Sequence, residues 1–122
     1  MRTLLFKNNV HNTEAVDMPG REATAVNLTV RKGLKWADLQ EGDTVEVRET
    51  GAEEPCIGGA VTAKIFDVKV MSFNDLMNYP RMLLLEHDPD CQNYAGLFKT
   101  MKGVYDGFLQ HELVTLVFYV LD

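Results

Sequence analysis

The sequence predicts an α+β fold, a small mixed β-barrel with two or three helices packed outside it. Three observations predict it. Residues 25–31 and Thr44–Glu49 alternate apolar and polar side chains, the period of strands with one buried face. Residues 93–106 carry apolar side chains at helical spacing, which makes a stripe that must pack on something. Leu113–Leu121 is almost wholly apolar and rich in β-branched and aromatic residues, the signature of a central strand buried on both faces. A chain of 122 residues has the length of a single domain, residues 1–122, with enough interior for one sizeable core.

In chain order, residues 3–7 form a short first strand. Residues 8–22 are polar and punctuated by Asn8-Asn9 and Pro19-Gly20, a long loop of the kind that often carries function. In residues 25–31, Val26, Leu28 and Val30 take one face and Asn27, Thr29 and Arg31 the other. Leu34, Trp36 and Leu39 fit one helical turn, and Gly42-Asp43 turns the chain into Thr44–Glu49. Residues 50–59 hold three glycines and Pro55, a hairpin loop. In residues 60–71 the apolar phase slips by one between Ile65 and Phe66. A β-bulge there returns the later side chains to their face. Ser72 is placed to cap a short helix over Phe73–Asn78. Tyr94, Leu97, Phe98, Met101, Val104 and Tyr105 share one helical stripe, and Gly107 suits the position just past that helix's end.

Composition narrows the function. Apolar residues are 46% and charged residues 25%, and the net charge is −6. An acidic chain attracts neither nucleic acid nor anionic lipid over its whole surface, so a nucleic-acid site would have to be a local basic cleft. No apolar run approaches the ~20 residues of a membrane span, and the first ten residues lack a signal-peptide core. Two cysteines, Cys56 and Cys91, make no disulfide framework, so a reducing cytoplasm is expected.

Catalytic motifs are absent. His87, Asp88, Asp90 and Cys91 cluster, but Pro89 opposes a regular helix between them, and a zinc site needs about four converging ligands. The cluster therefore reads as a polar turn capping the following helix, with no metal and no cofactor. Ser72 is the one serine and lacks the glycines of a nucleophile elbow. Gly58-Gly59 precedes a strand rather than the helix a phosphate loop needs. What remains is the polar strand face of Asn27, Thr29 and Arg31, followed by Lys32 and Lys35. Arginine brings a planar donor fork for phosphates or base edges, so these five residues are the candidate nucleic-acid-binding set. The alternative is a solvated strand face. Trp36 is either core or a stacking platform for a base.

The run TVRKGLKWADLQEGDTVEV resembles the entry segment of ASCH domains, small PUA-like barrels. It carries their Thr-x-Arg strand at Thr29-Val30-Arg31 and their Gly-Asp turn at Gly42-Asp43-Thr44-Val45. The order downstream is similar, with Ser72 to Leu76, a helix ending near Val104-Tyr105, and a last strand around Val114 to Phe118. The resemblance implies a cleft that binds RNA or a modified nucleotide, short or single-stranded. Some relatives are nucleases and others are amidohydrolases of acetylated cytidine. The amidohydrolase pattern ends on Thr29 and Arg31 but has Val26 where its lysine belongs, so no catalytic residue is assigned. Lys7 is the nearest substitute in the sequence. The expected function is thus RNA or nucleotide binding in a cleft lined by Thr29 and Arg31. The alternatives are a small hydrolase of RNA or a modified nucleoside, and an acidic regulator whose Glu53-Glu54-Pro55 loop meets a basic protein.

Overall fold

The computed structural model describes residues 1–18, 21–50 and 61–122. Its main sheet has five strands in the order β1 (Thr3–Phe6), β5 (Thr44–Glu49), β6 (Val61–Ser72), β7 (Leu113–Leu121) and β4 (Asn27–Lys32). β1 runs parallel to β5, and the remaining pairs are antiparallel. β2 (Val16–Met18) and β3 (Arg21–Thr24) pair separately, where the sequence suggests only loop. The expected hairpin loop at residues 50–59 lies, from residue 51 onward, outside the described residues.

The sheet is not closed into a barrel. β1 and β4 end the strand order and share no ladder. The reason lies at the free edge of β4, where Leu28 N–H donates to the Leu85 carbonyl at 2.8 Å and His87 N–H donates to the Leu28 carbonyl at 3.0 Å. The segment around Glu86 thus pairs with β4 in parallel fashion. It takes hydrogen-bonding groups that barrel closure would need and protects an edge that would otherwise invite pairing with another chain. The sheet still curls, so that Phe6 of one end strand lies against Arg31 of the other.

β7 is buried from Val114 to Tyr119, and its two faces serve two packed layers. Val114, Leu116 and Phe118 join Val26, Leu28 and Val30 beneath Phe73, Leu83, Leu97 and Met101. Val117 and Tyr119 join Leu4, Phe6, Trp36, Val45 and Ile65 on the other face. Trp36 is therefore core. The bulge falls where the apolar phase slips, since Ile65 opposes Tyr119 and Asp67 opposes Phe118, with Phe66 the extra residue.

Phe73–Asn78 is a 3-10 helix, but the Ser72 side chain makes no capping bond. α1 (Pro80–Leu83) is a single turn, and α2 (Tyr94–Val104) is capped by Asn93, whose side chain accepts from Gly96 N–H. Gly107 ends the turn after α2 with φ +69°, a conformation that favours glycine. No helix among the described residues is long and apolar enough to cross a membrane.

Gly96 is fixed by packing. A Cβ added there would run into the backbone carbonyl oxygen of Asp90, which belongs to the 3-10 turn Pro89–Cys91. Gly96→Ala is expected to cost roughly 1–3 kcal/mol, as overpacking does. Thermal unfolding followed by circular dichroism checks this, and an unchanged midpoint would mean that the turn yields freely.

Candidate functional site

The sheet leaves a cleft of about 360 Å³ between the end of β1, the edge of β4, the segment after α1 and one face of α2. Strand parity builds one wall. Asn27, Thr29 and Arg31 oppose Tyr119, Val117 and Thr115 across the β4–β7 ladder, so this polar strip points at the layer that holds Phe6 and Tyr119. It is not a solvated face, because Asn27 and Thr29 are buried.

The five expected site residues do not form one surface. Thr29 and Arg31 line the cleft. The Asn27 side chain is engaged with the Asn12 backbone, accepting from its N–H at 2.6 Å and donating to its carbonyl at 3.2 Å. Lys32 alternates to the opposite face and pairs with Glu112 at 3.4 Å. Lys35 sits on the turn after β4, over the Trp36 ring. Lys7 does line the cleft.

Arg31 defines the site. Its Nε donates to Thr29 Oγ1 at 3.0 Å, and its guanidinium carbon lies 4.7 Å from the Phe6 ring centre, a cation–π distance. Among the described residues no carboxylate is within ion-pair distance of it. Among the same residues every fully buried side-chain nitrogen and oxygen has a hydrogen-bond partner, whereas the two terminal nitrogens of Arg31 have none. Arg31 lines the cleft. Burial lowers the guanidinium pKa, but arginine remains a cation.

Beside it lies an acid–base pair that the sequence did not disclose. Glu86 is 2% exposed and His87 9%. His87 Nδ1 is 2.8 Å from the Val10 carbonyl oxygen. A carbonyl can only accept, so Nδ1 carries the hydrogen. His87 Nε2 then faces Glu86 Oε1 at 3.1 Å, and the same oxygen accepts from Asp88 N–H at 3.3 Å. Burial pushes the Glu86 carboxyl up to about 8, against smaller downward pulls from the Asp88 N–H and Arg31. Burial pushes His87 down to about 4.

The surrounding groups are spoken for. His11 lies 2.6 Å from the Tyr119 hydroxyl through Nδ1 and 2.6 Å from Asn9 Oδ1 through Nε2. The acceptor on Asn9 makes Nε2 the donor, so the Tyr119 hydroxyl donates to Nδ1. The Asp88 side chain accepts from Asp90 N–H and caps the Pro89–Cys91 turn, whereas the helix the cluster was expected to cap, α2, is capped by Asn93. The Cys91 thiol is buried and pushed up to about 11, so it is an inert packing group rather than a nucleophile. Among the described residues no cluster of His, Cys, Asp or Glu could hold a metal ion. The far wall is apolar, from Leu97, Met101 and Val104 of α2.

Comparison with family models, with curated proteins and with solved structures finds no match for this chain. Neither these comparisons nor the open sheet supports the expected ASCH, PUA-like and RNA-binding barrel. The geometry corrects the expected functions as well. There is no barrel, and the basic residues point different ways. Nothing specific in the structure supports binding of RNA or a modified nucleotide, or hydrolysis of either, and among the described residues there is no metal-holding cluster. The Glu53-Glu54-Pro55 loop of the acidic-regulator alternative lies outside the described residues.

Proposed function

We propose that the cleft binds a small organic anion, a monocarboxylate with an apolar body, and that Arg31 is its counter-ion. One observation carries the proposal: a largely buried arginine that lines a cleft without a carboxylate partner within ion-pair distance among the described residues. Holding an uncompensated charge out of water is costly, and a bidentate carboxylate relieves that cost with two charge-assisted hydrogen bonds. The volume of about 360 Å³ falls in the range of small-molecule sites. Leu97, Met101 and Val104 supply an apolar wall, which suits a hydrocarbon body. Asp88 lines the same cleft and opposes a doubly charged head group such as a phosphate monoester. We further place the protein in the cytoplasm, where a buried unpaired thiol such as Cys91 stays reduced.

Phenylacetate and its neutral isostere phenylacetamide test the proposal. Titration by ligand-observed NMR is expected to show saturable phenylacetate binding at least about tenfold tighter than phenylacetamide, the margin of one charged hydrogen bond. Equal affinity for the two would show that the apolar wall alone holds the ligand.

A further inference from the structure

Resting on the anion reading above, we propose that the cleft takes up its ligand together with a proton, which Glu86 Oε1 and His87 Nε2 hold between them, and that Glu86 without this proton becomes the built-in competitor for Arg31.

The inference begins with hydrogen-bond polarity. His87 Nδ1–H is committed to the Val10 carbonyl. Nε2 and Glu86 Oε1, 3.1 Å apart, would present two lone pairs to each other if neither bore a hydrogen. In a site where both groups are buried, that contact is repulsive and poorly screened. One proton resolves it, whether written as a carboxylic acid donating to imidazole or as imidazolium donating to carboxylate. Either way the pair is neutral, and the charge beside it in the cleft wall is that of Arg31.

Removing the proton leaves the pair with one negative charge. Glu86 and Arg31 line the same cleft and already interact electrostatically. The freed carboxylate then neutralises the guanidinium and repels an incoming carboxylate. Ligand and proton thus favour each other, and linkage makes that coupling reciprocal.

No neighbour takes over the proton. Arg31 from β4 stays charged. The Tyr119 hydroxyl from β7 is pushed up, chiefly by burial, and is committed to His11. His11 is pushed down by burial. In the pair's own segment, burial raises the Asp88 carboxyl, but hydrogen bonding, including that from the Asp90 N–H, brings it below its ordinary value, and Cys91 is pushed up to about 11. The Lys7 ammonium and the Tyr105 hydroxyl complete the lining from the N-terminal segment and from the residue after α2.

The experiment measures phenylacetate affinity of the full chain by isothermal titration calorimetry between pH 6 and 9.5, where the ligand itself is ionised throughout. Wild-type affinity is expected to be flat up to about pH 7.5 and then to fall by nearly tenfold per pH unit above the pair's titration point. Proton uptake, read from the dependence of the heat on buffer ionisation, is expected to grow over the same interval. Glu86→Gln, whose amide donates to Nε2 permanently, is expected to vary less than about twofold over the same range. A carboxyl-carbon NMR titration of the unliganded wild type needs no variant, and it is expected to place Glu86 deprotonation near 8. Arg31-dependent binding as strong at pH 9.5 as at pH 6, or Glu86 titrating as an ordinary carboxylate near 4, overturns the proton pair alone. Absence of phenylacetate binding at every pH overturns the anion reading and this proposal with it.

Discussion

Arg31→Ala is expected to weaken phenylacetate binding by about tenfold to a hundredfold, because a hydrogen bond to a charged group contributes about 1.5–3 kcal/mol. The fold is expected to survive. Among the described residues Arg31 pairs with no carboxylate, and its one hydrogen bond there is to Thr29 on the same strand. Removing it strips a buried cation from beside Phe6 and leaves Glu86 and His87 with their shared proton, so no buried charge is orphaned. Arg31→Lys keeps the charge but loses the planar fork and the stacking, and is expected to fall between wild type and alanine. Calorimetric titration alongside thermal unfolding separates the two effects. Lost binding with an unchanged midpoint is the expected pattern, whereas a large drop in midpoint would make Arg31 a structural residue.

Phe73→Ala is expected to cost about 3–5 kcal/mol, the range for truncating a buried aromatic. Phe73 is wholly buried, and its ring lies 5.0 Å from Tyr94, 5.6 Å from Phe98 and 5.1 Å from Phe108. These contacts hold the 3-10 helix Phe73–Asn78, α2 and the segment before β7 to one another. Since marginal domains hold only ~5–15 kcal/mol in all, the variant is expected to lose a large part of its stability. Urea unfolding gives the value. A cost below about 1 kcal/mol would mean that the surrounding rings collapse into the space.

The sequence disclosed whatever depended on neighbours along the chain. β5 and β7 have the expected bounds because alternation and continuous apolarity are local patterns. Phe66 was readable as the bulge because one residue out of phase flips every later side chain. The stripe of α2 and Gly107 followed from periodicity and helix-end chemistry, while Asn93, expected as the first helical residue, is the cap instead. Closure of the sheet was not readable. It depends on which segment reaches the free edge of β4, and Leu85–His87 arrive there from more than fifty residues away. The polar strip of β4 was legible as a strip, but its burial was not, since Asn12 and Phe6 cover it from the other side of the loop.

The acid–base pair was the least legible. Glu86 and His87 look like the polar end of a leucine run. Their chemistry comes from Val10, which fixes the imidazole tautomer, and from the β4 edge that buries both side chains. The one local hint was a Glu-His dipeptide placed directly after Leu83, Leu84 and Leu85, where the chain must still be leaving the core. Lys32 and Lys35 misled for the complementary reason. Adjacency to Arg31 suggested one basic patch, while strand alternation and the turn at Gly33 send them to other faces.

The measurement that bears most directly on the anion site is a series of amide correlation NMR spectra of the full chain titrated with phenylacetate at pH 6. Saturable shifts centred on Phe6, Thr29, Arg31 and His87 are the expected result. No saturable shift, or shifts centred instead on the apolar groove of Leu76, Leu84 and Tyr94, would contradict the assignment of Arg31 as the counter-ion of a bound carboxylate.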